Sequence, residues 1–358
     1  MYKALKVSML ALLLFLPLFS VVTTRVIDEL QLISVIGFDK GEEGAIKGTV
    51  SLTSYSVEEE TKNTALSAES NSTRALRLKF NSMSSRPLHG GKISSILLED
   101  QLAEGGIFDV LDTYYRDPTV ATKAYLSVTN GTTQGLLNVQ FPLQSEIGAY
   151  LKDMLDHNIT QGNLPQSNMH LFMRAYFEQG HDPFLPYLSY SERNLQVDGI
   201  ALFKQDRLID TLSLEESFLL KLLTDGYDKG GVIEIRLDEG EHVAVLRELR
   251  SDTDVHVDLK TRTLFIDVGL RTRLSEYSGG LLQEEKLQHI TSEANASLQE
   301  GMKRLLQNLQ EKEVDPIGFG ARQIGKNGLN EEEWYQLYSK LAVDVRVSTH
   351  IVESGVSQ

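Results

Sequence analysis

The chain has 358 residues, 41% of them hydrophobic and 24% charged, which leaves room for two or three domains with their own cores. A formal net charge of -15 argues against nucleic acid as a partner and against docking on anionic lipid by charge, since both need cationic patches. There is no cysteine, which excludes disulfides, thiolate metal sites and cysteine nucleophiles and fits an exported bacterial protein.

Lys3 and Lys6 precede an apolar run from Val7 to Val22, broken only by Ser8, Pro17 and Ser20. A basic start followed by a short apolar stretch is a secretory signal pattern. Sixteen helical residues span roughly 24 Å, short of a ~30 Å hydrocarbon core, so residues 1–22 are expected to be a signal peptide or a marginal membrane anchor. Val26–Phe38 is apolar and β-rich, and Gly48–Ser56 alternates Val50 and Leu52 with Ser51 and Thr53, so both are expected strands. Glu58–Thr73 has almost no apolar residues and reads as an exposed loop. Leu76, Phe80 and Met83, at i, i+4 and i+7, predict a short helix. Lys92–Leu98 reads as a buried strand. Ile107, Val110, Leu111 and Tyr114 mark a helix after Gly105-Gly106, and Ala124–Thr129 reads as a strand closed by Asn130-Gly131. Glu146–Ile159 and Leu171–Phe177 read as helical or mixed, with Pro183 and Pro186 punctuating the approach to the C-terminal half.

Asp198–Leu223 is the most telling stretch. Ile200, Leu202 and Phe203 form an apolar run, the polar turn Lys204-Gln205-Asp206-Arg207 breaks it, and Leu208, Ile209 and Leu212 resume it. Ser213 and Glu216 then have the S-x-x-E spacing of a capping box, with Leu214, Phe218 and Leu222 at helical spacing behind. This predicts a hairpin feeding an amphipathic helix. After Leu223 the pattern turns β: Val232–Ile235, His242–Leu249, Val255–Leu259, Leu264–Leu270 and Val343–Ile351 alternate or run apolar. Between the last two lies a helical stretch, Leu281 to Lys312, with Leu287, Ile290, Ala294, Leu298, Met302, Leu305 and Leu309 in one stripe. The expected fold class is α+β, with mixed and antiparallel sheets packed with helices in more than one domain, and a ~45 Å helix crossing the C-terminal sheet.

Asp252, Asp254, His256 and Asp258 share one face of a period-two strand. Oxygen-rich faces suit hard cations, but the simpler reading is the solvated side of a half-buried strand. His89-Gly90-Gly91 is similar to the oxyanion turn of some esterases, yet no G-x-S-x-G elbow is present, and a glycine turn into the next strand explains it better. Arg116 and Asp117, after Tyr114-Tyr115 and before Pro118, read either as a partner-facing ion pair or as a helix end. Gly318 and Gly320 flank Phe319 where a tight turn leaves the long helix, with Arg322 and Lys326 the nearby cations. No catalytic, cofactor-binding or metal-ligating set emerges, and no cofactor is expected.

Several stretches together resemble the Ger(x)C family, the C subunits of bacterial spore germinant receptors. Ile27-Asp28-Glu29-Leu30 with Val35-Ile36-Gly37-Phe38-Asp39-Lys40 looks like the family's opening strand. Ser85-Arg86-Pro87-Leu88-His89 with Lys92-Ile93 looks like its central strand, and Tyr115-Arg116-Asp117-Pro118 like its R-D-P turn. Asp198–Leu223 resembles the start of its C-terminal half, and Val314-Asp315-Pro316-Ile317-Gly318-Phe319-Gly320 its segment after a long helix. The resemblance implies an N-terminal domain over 24–195 and a C-terminal domain over 196–354. It implies a non-enzymatic subunit needed for germination, held on the outer face of the spore inner membrane beside A-type and B-type membrane subunits. One departure stands out. Val21 occupies the place of the family's lipobox cysteine, so no lipid anchor is expected. An extracytoplasmic solute-binding protein of a transporter shares the exported, acidic profile. That alternative calls for two similar lobes of alternating β-α units, against which the segregated strands after Gly231 argue. A secreted hydrolase is the third reading, and it lacks a nucleophile, metal or paired-carboxylate signature.

Overall fold

The computed structural model describes residues 29–53, 64–139, 146–191, 194–225 and 230–354. The apolar run 7–22 and Val21 within it lie outside the described residues.

The opening apolar segments form β1 (Gln31–Lys40) and β2 (Ile46–Leu52), an antiparallel pair. The stretch expected to be a loop instead supplies β3 (Thr64–Ser70), paired antiparallel with β2 from Thr64 to Ser70. An edge strand needs only its backbone ladder and a few small contacts, and here Leu66 and Ala68 are half-buried beneath α1 (Thr73–Met83). Next come β4 (Leu88–His89), β5 (Ser95–Glu99), α2 (Asp100–Gly105), α3 (Phe108–Tyr115) and β6 (Tyr125–Thr129). They are followed by α4 (Thr133–Asn138), α5 (Ile147–Thr160) and α6 (Met169–Phe177).

Pro183 lies in the link between α6 and the next strand, as its reading as punctuation expects, whereas Pro186 does not mark a break. Pro186 lies inside β7 (Phe184–Tyr190). On one side the β6 ladder reaches only Tyr187 and Leu188, so Pro186 lies beyond it, where a missing N–H is tolerated. The hairpin of β8 (Leu195–Lys204) and β9 (Arg207–Ser213) completes a sheet of order β3-β2-β1-β5-β6-β7-β8-β9, with β4 beside β1. Its centre, β1-β5-β6-β7, is parallel and its flanks are antiparallel.

Period-two alternation puts different residues of one strand into different cores. Ile36 and Phe38 of β1 and Ile96 and Leu98 of β5 join one layer with Phe80, Leu111 and Phe172. Val35 and Leu97 face the other side, packed with Leu137, Leu151 and Leu155. The same division occurs in β8: Ala201 and Phe203 belong to the first layer, whereas Ile200 and Leu202 join the C-terminal core.

That third core is built on α7 (Leu214–Thr224), capped by the predicted box. Ser213 Oγ accepts from the Glu216 amide at 3.3 Å, and Glu216 Oε2 accepts from the Ser213 amide at 2.9 Å. The second sheet has the order β10-β11-β12-β13: β10 (Val232–Leu237), β11 (His242–Asp258), β12 (Thr263–Tyr277) and β13 (Ala342–Ser354). The two segments expected as separate strands, His242–Leu249 and Val255–Leu259, are joined in the one strand β11. Its register shifts between Val245 and Leu246 and between Glu248 and Arg250, so the polar link stays in the ladder with β12. The predicted long helix is α8 (Glu284–Glu311), about 42 Å at the standard rise. Its stripe from Ile290 to Leu309 is buried, and it touches both edge strands, β10 and β13, so it crosses the whole sheet. α9 (Phe319–Asn327) and α10 (Glu331–Tyr338) then lead into β13, parallel to β12. No described helix is long and apolar enough to cross a membrane.

Candidate functional site

Arg116 and Asp117 close α3, and both are held by partners in the chain. Arg116 Nε donates to Asp112 Oδ1 at 2.7 Å, one turn back, and Arg77 of α1 reaches Asp117 Oδ2 at 2.8 Å. The other Asp117 oxygen accepts from the Thr119 amide at 2.9 Å and from its hydroxyl at 2.7 Å. Burial alone would push the Asp117 carboxyl up, but these hydrogen bonds and the Arg77 guanidinium outweigh it and hold it below its ordinary value.

The pair borders a cavity of about 440 Å³ between α1, α3 and the start of β1. Ile33, Ile36, Phe80, Leu88, Ile93 and Val120 give it an apolar lining. Arg74, Arg77, Asp112, Arg116 and Asp117 bring charge to it. At one side Thr73 and Thr113 share a 2.7 Å hydroxyl contact. Leu88, Gly90 and Ile93 come from the S-R-P-L-H segment and its extension, and Arg116–Pro118 from the R-D-P turn. Two motifs read separately in the sequence therefore line one site. The glycine turn between β4 and β5 is structural: His89 Nδ1 accepts from the Gly91 amide at 3.1 Å. Lys92 beyond it pairs with Glu146 at 2.7 Å, fixing the start of α5.

The two C-terminal motifs meet elsewhere, at a buried clasp. Asp182, which sequence reading passed over, accepts at Oδ2 from Lys204 Nζ at 3.3 Å, Tyr335 OH at 2.6 Å and the Asp315 amide at 2.7 Å. Its own amide donates to Asp315 O at 2.9 Å. Lys204, from the end of β8, also donates to Glu313 O at 2.7 Å and lies 3.1 Å from the centre of the Tyr335 ring. Asp315 is fully buried and accepts from the amides of Gly318 and Gly320 at 2.9 and 2.7 Å, at the positive end of α9. Gly320 has no alternative there, because a Cβ would collide with Trp334 Nε1. Burial pushes the Asp315 carboxyl up to about 6 against the pull of the Gly320 and Phe319 amides, and Asp182 adds to the rise. Burial lowers the Lys204 ammonium despite Asp182 beside it. An aspartate leading directly into the apolar run Pro183–Leu188 was the available signal for Asp182.

The remaining candidates do not gather into a site. Asp252, Asp254 and His256 are exposed on β11 with Asp258 half-buried, and His256 stacks on Phe265 of the neighbouring strand, ring centres 6.4 Å apart. Gly318 caps α9, and its amide is taken by Asp315.

Residues 23–190 match the N-terminal domain of spore germination proteins, and residues 198–355 match the spore germination B3/GerAC-like C-terminal domain. The chain is 26% identical over 357 residues to the spore germination protein GerQC of Bacillus cereus, covering 98% of this chain and 99% of that protein. It is 24% identical over 349 residues to the putative spore germination protein YfkR of Bacillus subtilis strain 168, covering 93% and 86%. Among solved structures, the crystal structure of the GerBC protein superposes with a TM-score of 0.55 at 14% identity, over 88% of this chain and 96% of that one, which is a likeness of fold. With both domain matches in order and almost the whole chain aligned, this protein belongs to the GerAC-like family of spore germination proteins.

Proposed function

We propose that this chain is the C subunit of a nutrient germinant receptor, a non-enzymatic component that completes a complex with an A-type and a B-type membrane subunit. The observation that carries this reading is the pair of family matches over residues 23–190 and 198–355. In this reading the chain lies on the outer face of the spore inner membrane and performs no chemistry of its own. Its role is to couple nutrient detection in the complex to the release that starts germination.

Attachment then falls to the apolar run 7–22 or to the partner subunits. Val21 has no thiol to form the thioether of a lipoprotein, and a net charge of -15 opposes binding to anionic lipid. The native protein is expected to take up no labelled fatty acid. Deleting the gene should impair the response of spores to particular nutrients and leave receptor-independent germination intact. Normal nutrient germination in a deletion strain with no second receptor of the same specificity would refute the assignment.

A further inference from the structure

We propose that the cavity between α1 and α3 is a binding site for a small monocarboxylate with an apolar body. Its volume, about 440 Å³, lies within the range of roughly 300–1,000 Å³ typical of small-molecule pockets, which combine an apolar lining with a few placed polar groups. Ile33, Phe80, Leu88, Ile93 and Val120 supply the apolar lining.

The charges select the sign of the ligand. Both carboxylates at the cavity are already engaged, Asp112 by Arg116 at 2.7 Å and Asp117 by Arg77 at 2.8 Å and by Thr119. Each carboxylate already has an arginine beside it, so an incoming ammonium finds no unpaired negative charge. Arg74 is different: it is exposed on α1, lines the cavity, and has no ion-pair or hydrogen-bond partner among the described residues. Three guanidinium groups against two carboxylates leave the site one positive charge in excess, in a chain whose overall charge is strongly negative. Tyr114 also lines the cavity, and its hydroxyl makes no hydrogen bond among the described residues, so it is a second donor for a carboxylate. Arg74 provides the fork that matches carboxylate geometry.

A larger groove, about 680 Å³ between β10, α7 and α8, has the opposite character. Glu215, Glu234 and Glu293 line it, and its one arginine, Arg236, lies 3.6 Å from Glu234. Of these two, the cavity at α1 is the one whose charge suits an organic anion. This inference stands on the cavity's own geometry and holds whether or not the receptor reading is right.

The test is a calorimetric titration of the full chain, purified in a non-ionic detergent, with 4-methylpentanoate and separately with 4-methylpentanamide. Saturable one-to-one binding of the acid is expected, with the amide about tenfold weaker or more, as loss of a charge-assisted hydrogen bond implies. Arg74→Glu should weaken the acid by at least about as much, and Arg74→Lys, which keeps the charge but loses the fork, should weaken it less than Arg74→Glu. Both variants change an exposed helix position, so folding is preserved. Val120→Phe, which fills the cavity, should abolish binding. No saturable binding at millimolar acid, equal binding of acid and amide, or indifference to Arg74→Glu would each overturn the proposal. So would loss of membrane-subunit association in Arg74→Glu with no acid binding to the wild type, which would assign the cavity to a protein partner.

Discussion

A carboxylate removed from water persists only where nearby donors replace its hydration, and Asp315 has the two amides of Gly318 and Gly320 for that purpose. Its value near 6 lies above the ordinary 3.8, so the folded state binds a proton more readily than the unfolded chain. The stabilisation this group contributes is complete below pH ~4 and is lost as the pH rises through about 6, amounting to about 3 kcal/mol. The stability of the wild type relative to Asp315→Asn should therefore rise as the pH falls from 7 to 4, as read from urea titrations across that range. A difference that does not vary with pH would contradict the assignment. Lys204 is a separate test. Its ammonium is the only positive side chain on Asp182 among the described contacts, and Lys204→Met leaves that carboxylate buried without it. Because Lys204 is 36% exposed, we expect a loss of about 2 kcal/mol, less than for a fully buried pair.

At the scale of elements, the β8–β9 hairpin carries the most. Gly199 has φ +153°, and a Cβ there would run into the carbonyl of Leu212 on β9. The register against β7 also shifts here, with Tyr187 opposite Gly199 and Leu188 opposite Val197. Gly199→Ala should separate the two strands and lower the thermal midpoint more than a typical surface change, since the alanine conformation is strained whatever the space. Ser213→Ala, at the cap of α7, should reduce stability by about 1 kcal/mol. On α8, Leu305 is fully enclosed in the C-terminal core, and Leu305→Ala should lose about 2–5 kcal/mol, depending on how far the core closes over the gap. Denaturant midpoints measured side by side rank the three.

For the whole molecule, we propose residues 24–195 and 196–354 as its two units, coupled by the clasp and by a strand that both use. β8 and β9 lie in the second unit by sequence but complete the sheet of the first. Ala201 and Phe203 fill one core while Ile200 and Leu202 fill another. The chain from residue 25 onward is therefore expected to unfold in one cooperative transition. The segment 24–195 expressed alone should leave β7 an open edge and fold poorly. Differential scanning calorimetry decides: two separate transitions in the longer chain, or a stable isolated first segment, would show that the units are independent.

Much of this architecture was legible in the residues. Local periods of 2 and 3.6 mark the first two strands, the hairpin, the capped α7 and the long α8, because each depends on neighbours within one or two turns. The ordered motifs likewise carried the family resemblance, without the tertiary structure. Pairing and convergence were another matter. β3 is a strand only because β2 offers its backbone, and β7 accommodates Pro186 only because β6 ends where it does. No local signal joins His242–Leu249 to the strand that follows, and β11 is continuous because β12 pairs with both parts. Asp182 meets Lys204, Asp315 and Tyr335 across up to 153 positions of chain, and the cavity brings Arg74 to the R-D-P turn. Such meetings are set by how the crossovers pack their faces, a property of the whole chain that no local window contains.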